Sequence, residues 1–360
     1  MSRRRFLQGA VGALGALTVG AAAEPPAPTR TLSLGFDDVL TAGRAPDAAR
    51  NRIALLGATA VAVTAGRADW TTFRWADRPS ARAAQIARAG TDPFGVVVTS
   101  VEAGRTVVAV IDVLAERLLA GRPELAARDA HGVASPLRPS LTALAEGEVG
   151  DRVVAMADYV LGHYPVQAIN LTELDFYEFG YGPDDLREYR RATGAADWPR
   201  RPDGSVDIDA EPIGVWRSGQ VAAVIRRVAE VTRRHRASLL VDARVSWPDL
   251  SRRGREFGQH YPTLLAAADQ LVLWYLPGLS GHPATVERLL ATLPENERRR
   301  YVLSVGLWSD TGASVPDRLG DAVRAAEGAG LGGTWVTPYG LLGPGTEHAL
   351  RRAWSRDVRV

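Results

Sequence analysis

Residues 32–46 read LSLGFDDVLTAGRAP, a short apolar run followed by two adjacent carboxylates and a segment with helical spacing. This first strand-to-helix turn separates two fold classes. A doubly wound dinucleotide-binding sheet would place GxGxxG here, and GFDDVL does not supply it. Seven further β-rich runs follow, at 59–64 (TAVAVT), 105–112 (RTVVAVID), 167–173 (QAINLTE), 238–243 (SLLVDA), 270–275 (QLVLWY), 301–306 (YVLSVG) and 333–337 (GTWVT). Arg- and Ala-rich amphipathic stretches separate them at 46–56, 79–89, 147–163, 213–235, 284–291, 316–329 and 345–354. PFGVVVTSVEAG, at 93–104, is rich in β-branched residues but directly precedes a strand, so it is read as a helix. Eight strands, each leading into helix, are the count of a (β/α)8 TIM barrel in a single domain, residues 32–360.

Outside the barrel, the N-terminus reads as an address. SRRRFLQ (2–8) is followed by GAVGALGALTVGAAA and then EPPAP, with small residues at Ala21 and Ala23. A twin-Arg start, a Gly/Ala-rich apolar stretch and a small-residue cleavage site predict a Tat export signal over 1–23 and a Pro-rich linker over 24–31. The apolar stretch is roughly 15 residues, short of the ~20 that span a bilayer. The expectation is an exported protein (extracellular, cell-wall or periplasmic) with no membrane contact after cleavage.

Composition narrows the chemistry. The 360 residues include 46% hydrophobic and 23% charged residues and no Cys, which excludes a disulfide framework, a thiolate metal site and a Cys nucleophile. All 43 basic residues are Arg, which excludes a P-loop and Schiff-base chemistry. Taking Arg3, Arg4 and Arg5 from that number leaves 40 basic against 41 acidic residues, so nothing favours a nucleic-acid partner. The six His form neither HxH nor HExxH, and no metal or cofactor is expected. GxSxG is also absent.

In a barrel, chemistry collects where strands end on their C-terminal side. Those positions here hold Asp37, Arg67, Trp70, Asp112, Asn170, Glu173, Asp175, Tyr177, Asp242, Arg244, Trp274, Tyr275, Trp308 and Trp335. Carboxylates interleaved with Trp and Tyr suit a carbohydrate, whose C–H faces pack on aromatic rings and whose hydroxyls need fixed polar partners. Cleaving a glycosidic bond needs one protonated carboxyl as acid and a second as nucleophile or base. Glu173, the last residue of an apolar strand, is expected to be that acid if aromatic burial raises its pKa; the structural alternative is an ion pair with Arg244 or Arg67. Asp175 is the runner-up. Asp242, at the end of the next strand, is the favoured opposing carboxylate, with Asp37 and Asp112 as alternatives. The remaining residues are expected to bind substrate.

PELAARDAHG (123–132), a helix leading into HYPVQAINLTEL (163–174), and the long aromatic-acidic loop after it resemble the family-10-like, hypothetical glycosyl hydrolase barrels. Tyr164, Val166 and Ile169 match the approach to strand four, and Glu173 falls at the second of that family's paired acidic positions. Thr172 occupies the first, so Glu173 needs a partner from elsewhere. The resemblance implies a (β/α)8 fold, a carbohydrate-directed role and a carboxylate at the end of strand four. Together these readings predict an exported glycoside hydrolase acting on a polysaccharide or oligosaccharide. A barrel that binds polysaccharide without cleaving it is the alternative, and a carboxylate-metal hydrolase or a lyase is a further one.

Overall fold

Eight parallel strands close on themselves in a computed structural model that describes residues 27–75, 85–86, 88–278, 283–309 and 316–355. They are β1 (Thr29–Leu34), β2 (Ala60–Arg67), β3 (Thr106–Asp112), β4 (Ala168–Thr172), β5 (Ser238–Ala243), β6 (Gln270–Tyr275), β7 (Tyr301–Gly306) and β8 (Gly333–Thr337). Each pairs with the next in sequence, and β1 closes the ring by pairing with both β2 and β8. The architecture is a single-domain (β/α)8 TIM barrel. The export signal at 1–23 lies outside the described residues, as does most of the helix expected at 79–89.

Alternation along each strand assigns its two faces. Val107, Ala109 and Ile111 of β3, Ile169 and Leu171 of β4, and Leu271, Leu273 and Tyr275 of β6 belong to the layer shared with the outer helices. The opposite faces meet inside the ring, where Ala62, Val108, Val110, Ala168, Leu240, Val272, Val302 and Trp335 form a separate core. Small residues on β2 and β4 make room for the one large ring, so the barrel is filled rather than hollow.

The first strand begins three residues inside the stretch read as linker and ends before Asp37. Polar Thr29, Arg30 and Thr31 open the strand, so from the sequence it reads three residues late, over 32–37. Asp37 and Asp38 belong instead to the first turn of a short helix, Phe36–Ala42. There Asp38 accepts from the Gly35 N–H at 2.9 Å, and burial raises its carboxyl above the ordinary range.

The longer helices among the described residues are α1 (Pro46–Leu55), α2 (Pro93–Val101), α3 (Glu148–His163), α4 (Pro183–Thr193), α5 (Glu211–His235), α6 (Pro283–Thr292), α7 (Pro316–Gly328) and α8 (Pro344–Trp354). Among these, α4 lies inside the long stretch after β4 and was not anticipated. That insertion carries its own aromatic core, Tyr181, Tyr189 and Trp198 against Trp216 of α5, with ring centroids 4.4–5.8 Å apart. A hairpin, Ala126–Arg128 with Ala134–Pro139, projects after β3.

Asp69 fixes a neighbouring segment. Its Oδ2 accepts from the backbone N–H groups of Arg117 (2.5 Å) and Leu118 (3.0 Å), capping the helix Glu116–Gly121 from another loop. Asp69→Ala is expected to cost about 1 kcal/mol, read as a lower midpoint in chemical denaturation.

Candidate active site at the barrel mouth

Three carboxylates converge where β3, β4 and β5 end. Asp112 closes β3, and its Oδ1 accepts from Leu114 N at 2.8 Å while its Oδ2 accepts from Arg67 Nε at 3.0 Å. Asp242, on β5, is buried; its Oδ1 accepts from Asn170 Nδ2 at 3.0 Å, and Thr172 and Trp274 also hydrogen-bond to it. Burial is the leading cause that pushes both carboxyls up to about 6, and the charge of Glu173 adds to the rise in each. Glu173 is therefore close enough to both to repel them.

Glu173 reaches the mouth through its backbone. Along β4, Ile169 and Leu171 face the helices, so simple alternation would send residue 173 outward too. The strand stops at Thr172, and Glu173 takes φ 66°, a left-handed conformation that costs a non-glycine residue roughly 1–2 kcal/mol. Its Oε2 accepts from Arg138 Nη2 at 3.0 Å and lies 3.8 Å from Arg244 Nη2, while its carbonyl accepts from Arg138 Nη1 at 2.8 Å. Asp175 Oδ2 is shared by the same two arginines, each at 3.1 Å.

This departs from the expected aromatic pocket around Glu173. Two guanidinium groups hold Glu173 instead, and the carboxyls pushed up by burial are Asp112 and Asp242. Arg244 accounts for one half of the structural alternative. The other partner is Arg138, not Arg67, which pairs with Asp112.

The aromatic residues divide. Trp274 presents one face to the Arg244 guanidinium, 4.3 Å from Cζ to the ring centroid, and stacks at 6.4 Å and 20° on Trp308, which is 39% exposed. Tyr177 is also at the surface, packed on Phe257. Three residues expected to touch substrate do not line the mouth. Trp335 lies two residues below the end of β8 and fills the barrel interior, 4% exposed. Tyr275 is one residue past Trp274, so alternation turns it to the helix side, against Trp247. Asn170 is buried inside the barrel and holds Asp242.

A second part of the mouth gathers Asp37, Arg67 and Trp70. With Phe36, Asp69, Glu116 and Arg117 they line a pocket of about 270 Å³. Its wall is the edge-to-face pair Phe36–Trp70, with centroids 4.5 Å apart. The Arg67–Asp112 ion pair ties this pocket to the carboxylate cluster.

Two residues of the site were not anticipated. Arg138 comes from the hairpin after β3, a position that no strand-end rule points to. Gln259, also buried, spans β5 by donating to the Asp242 carbonyl at 3.0 Å and accepting from Arg244 N at 2.7 Å. Among the described residues no group of His, Asp and Glu is placed to hold a metal ion, and no helix is long and apolar enough to cross a membrane.

No family model matches the sequence, and no curated protein matches it. Solved structures are similar in fold. The glycoside hydrolase domain of PgaB (BpsB) from Bordetella bronchiseptica aligns with TM-score 0.69 at 16% identity, over 91% of this chain and 99% of that one. Alpha-L-fucosidase isoenzyme 2 from Paenibacillus thiaminolyticus gives 0.63 at 17%, covering 91% of this chain and 49% of that one. The catalytic domain of beta-amylase from Paenibacillus polymyxa gives 0.60 at 11%, over 91% and 98%. At such identities the likeness shows a shared fold: the chain is built as a (β/α)8 barrel similar to those of these carbohydrate-directed proteins.

Proposed function

We propose that the barrel mouth cleaves a glycosidic bond in a polysaccharide or oligosaccharide. The observation that carries this reading is Asp242, a buried carboxyl raised to about 6 near a strand end, beside Glu173 and a half-buried Trp274 stacked on the exposed Trp308. A carboxyl with that pKa keeps its proton up to about pH 6 and can give it to a leaving oxygen on the acid side of neutrality. In the proposed reaction Asp242 protonates the glycosidic oxygen and the C–O bond breaks. Glu173 then attacks the anomeric carbon or removes a proton from the water that does. This exchanges the two roles read from the sequence, because guanidinium groups surround Glu173 and burial surrounds Asp242. Asp112 and Arg67 would hold substrate hydroxyls, and the Phe36–Trp70 pocket would take the neighbouring sugar.

A second reading, binding without cleavage, has its own support. Free space among Glu173, Asp175, Asp242, Arg244, Gln259 and Trp274 is about 10 Å³, enough for one water molecule. A sugar stacking on Trp274 must first displace Arg244 from that face. Incubating the protein with a panel of bacterial and plant polysaccharides, with product detection, separates the two readings. New reducing ends support cleavage; binding without product favours the second reading. Either way, Trp274→Ala is expected to weaken glycan binding about tenfold, measured by calorimetry.

We also propose export by the Tat route. Replacing Arg4 and Arg5 by Lys in a reporter fusion is expected to retain the reporter in the cytoplasm, and unchanged export would remove this proposal.

A further inference from the structure

Beneath the site, α5 carries a charge that the proposed reaction does not use. Arg217 has no solvent exposure, and burial lowers its pKa. Its guanidinium donates from Nη1 to the Tyr177 carbonyl in a long contact of 3.5 Å and lies 4.6 Å over the ring of Tyr181, whose hydroxyl it also engages. Nε and Nη2 have no well-formed partner. Asp185 is buried nearby on α4, pushed up to about 7, with Oδ1 held by Thr142 and Oδ2 unpartnered. A buried arginine so weakly satisfied is costly in stability, which makes a purely structural origin a poor account of it.

What Arg217 touches gives it a role. On one side are Tyr177 and Tyr181, on the loop that leaves Glu173 and Asp175. On the other is Gly258, whose backbone passes so close that a Cβ there would lie 2.9 Å from Arg217 Cβ; its φ is 72°. The next residue is Gln259, which holds the backbone at Asp242 and Arg244. The two loops are joined directly by Phe176 N donating to Phe257 O at 2.9 Å.

We infer that Arg217 is a positioning residue, a buried pin that sets the spacing between the loop carrying Glu173 and Asp175 and the loop whose Gln259 fixes Asp242. It acts through those loops and does not reach the reacting atoms. The inference rests on the reading of Asp242 and Glu173 as the reacting carboxyls, and its test does not depend on finding the substrate.

The test follows the titration of Asp242 by carboxyl carbon-13 NMR in the full chain, with the signal assigned by its loss in Asp242→Asn. In Arg217→Met the loops relax and water reaches Asp242, so its pKa is expected to fall by about one unit toward the ordinary ~3.9, with the circular dichroism spectrum retained. Arg217→Lys, which keeps charge and stem but not the planar fork, is expected to give about half that shift. If the Met variant does not fold, the Lys variant decides alone. A folded variant whose Asp242 titrates as in the wild type overturns the inference. Glycan turnover, measured separately, bears only on the proposed reaction.

Discussion

Asp242→Asn is expected to lower kcat on a responsive glycan by about 10³-fold while making the protein more stable at pH 8. The loss follows from removing the proton donor, and the carboxamide keeps the acceptor that Asn170 uses. The gain follows from linkage. Asp242 is raised to about 6 in the folded chain, against roughly 3.9 unfolded. Between those values the folded state holds a proton that the unfolded state has released. Stability therefore falls as pH rises from about 4 to 6, and the full deficit, on the order of 3 kcal/mol, is present above that window. Asn carries no charge to desolvate, but it presents an N–H where Thr172 or Trp274 now donates. The net gain should be about 1 kcal/mol at pH 8, turning into a loss of about 2 kcal/mol near pH 4, where the N–H mismatch remains and the ionisation deficit does not. Urea denaturation of both proteins at the two pH values checks this, and a variant less stable at pH 8 would contradict it.

Trp335→Ala is expected to cost about 3–5 kcal/mol, the largest stability effect of any single change considered. Trp335 is the bulkiest residue of the interior cluster it shares with Ala62 and Ala168, and such small residues cannot fill the space it would vacate. The indole reads as a sugar platform from sequence and as a core filler in the fold, and the two roles differ in outcome. A core filler lowers the denaturation midpoint sharply. A platform would leave the midpoint in place and weaken glycan binding.

The barrel was legible because β-branched runs alternating with Arg/Ala-rich segments encode it locally, and no glycine loop competed at residues 35–40. Asp112, Asp242 and Trp274 were legible as strand-end residues. What could not be read was phase. A one-residue change in register exchanges the two faces of a strand, so Trp274 and its neighbour Tyr275 look equivalent until the ring closes. Glu173 was placed correctly at the mouth, but by alternation alone it would have pointed away. Its left-handed backbone turns it inward, and no propensity scale predicts that for a glutamate. Arg138 and Gln259 lay beyond sequence reasoning because a hairpin and an irregular loop deliver them from 35 residues before Glu173 and 17 after Asp242. Glycoside-hydrolase-like character was read from residue types and from a family resemblance, and the proposed acid lies one strand further on than the one read from the sequence.

If the barrel mouth cleaves a glycosidic bond, a glycan must lie over Asp242 between the aromatic rings. The most direct measurement is a crystal structure of Asp242→Asn soaked with an oligosaccharide from the responsive polysaccharide. The expected density is a sugar ring stacked on Trp274 in place of the Arg244 guanidinium, with a glycosidic oxygen within hydrogen-bond reach of residue 242. A saccharide seated elsewhere, with Arg244 still lying on Trp274, would contradict it.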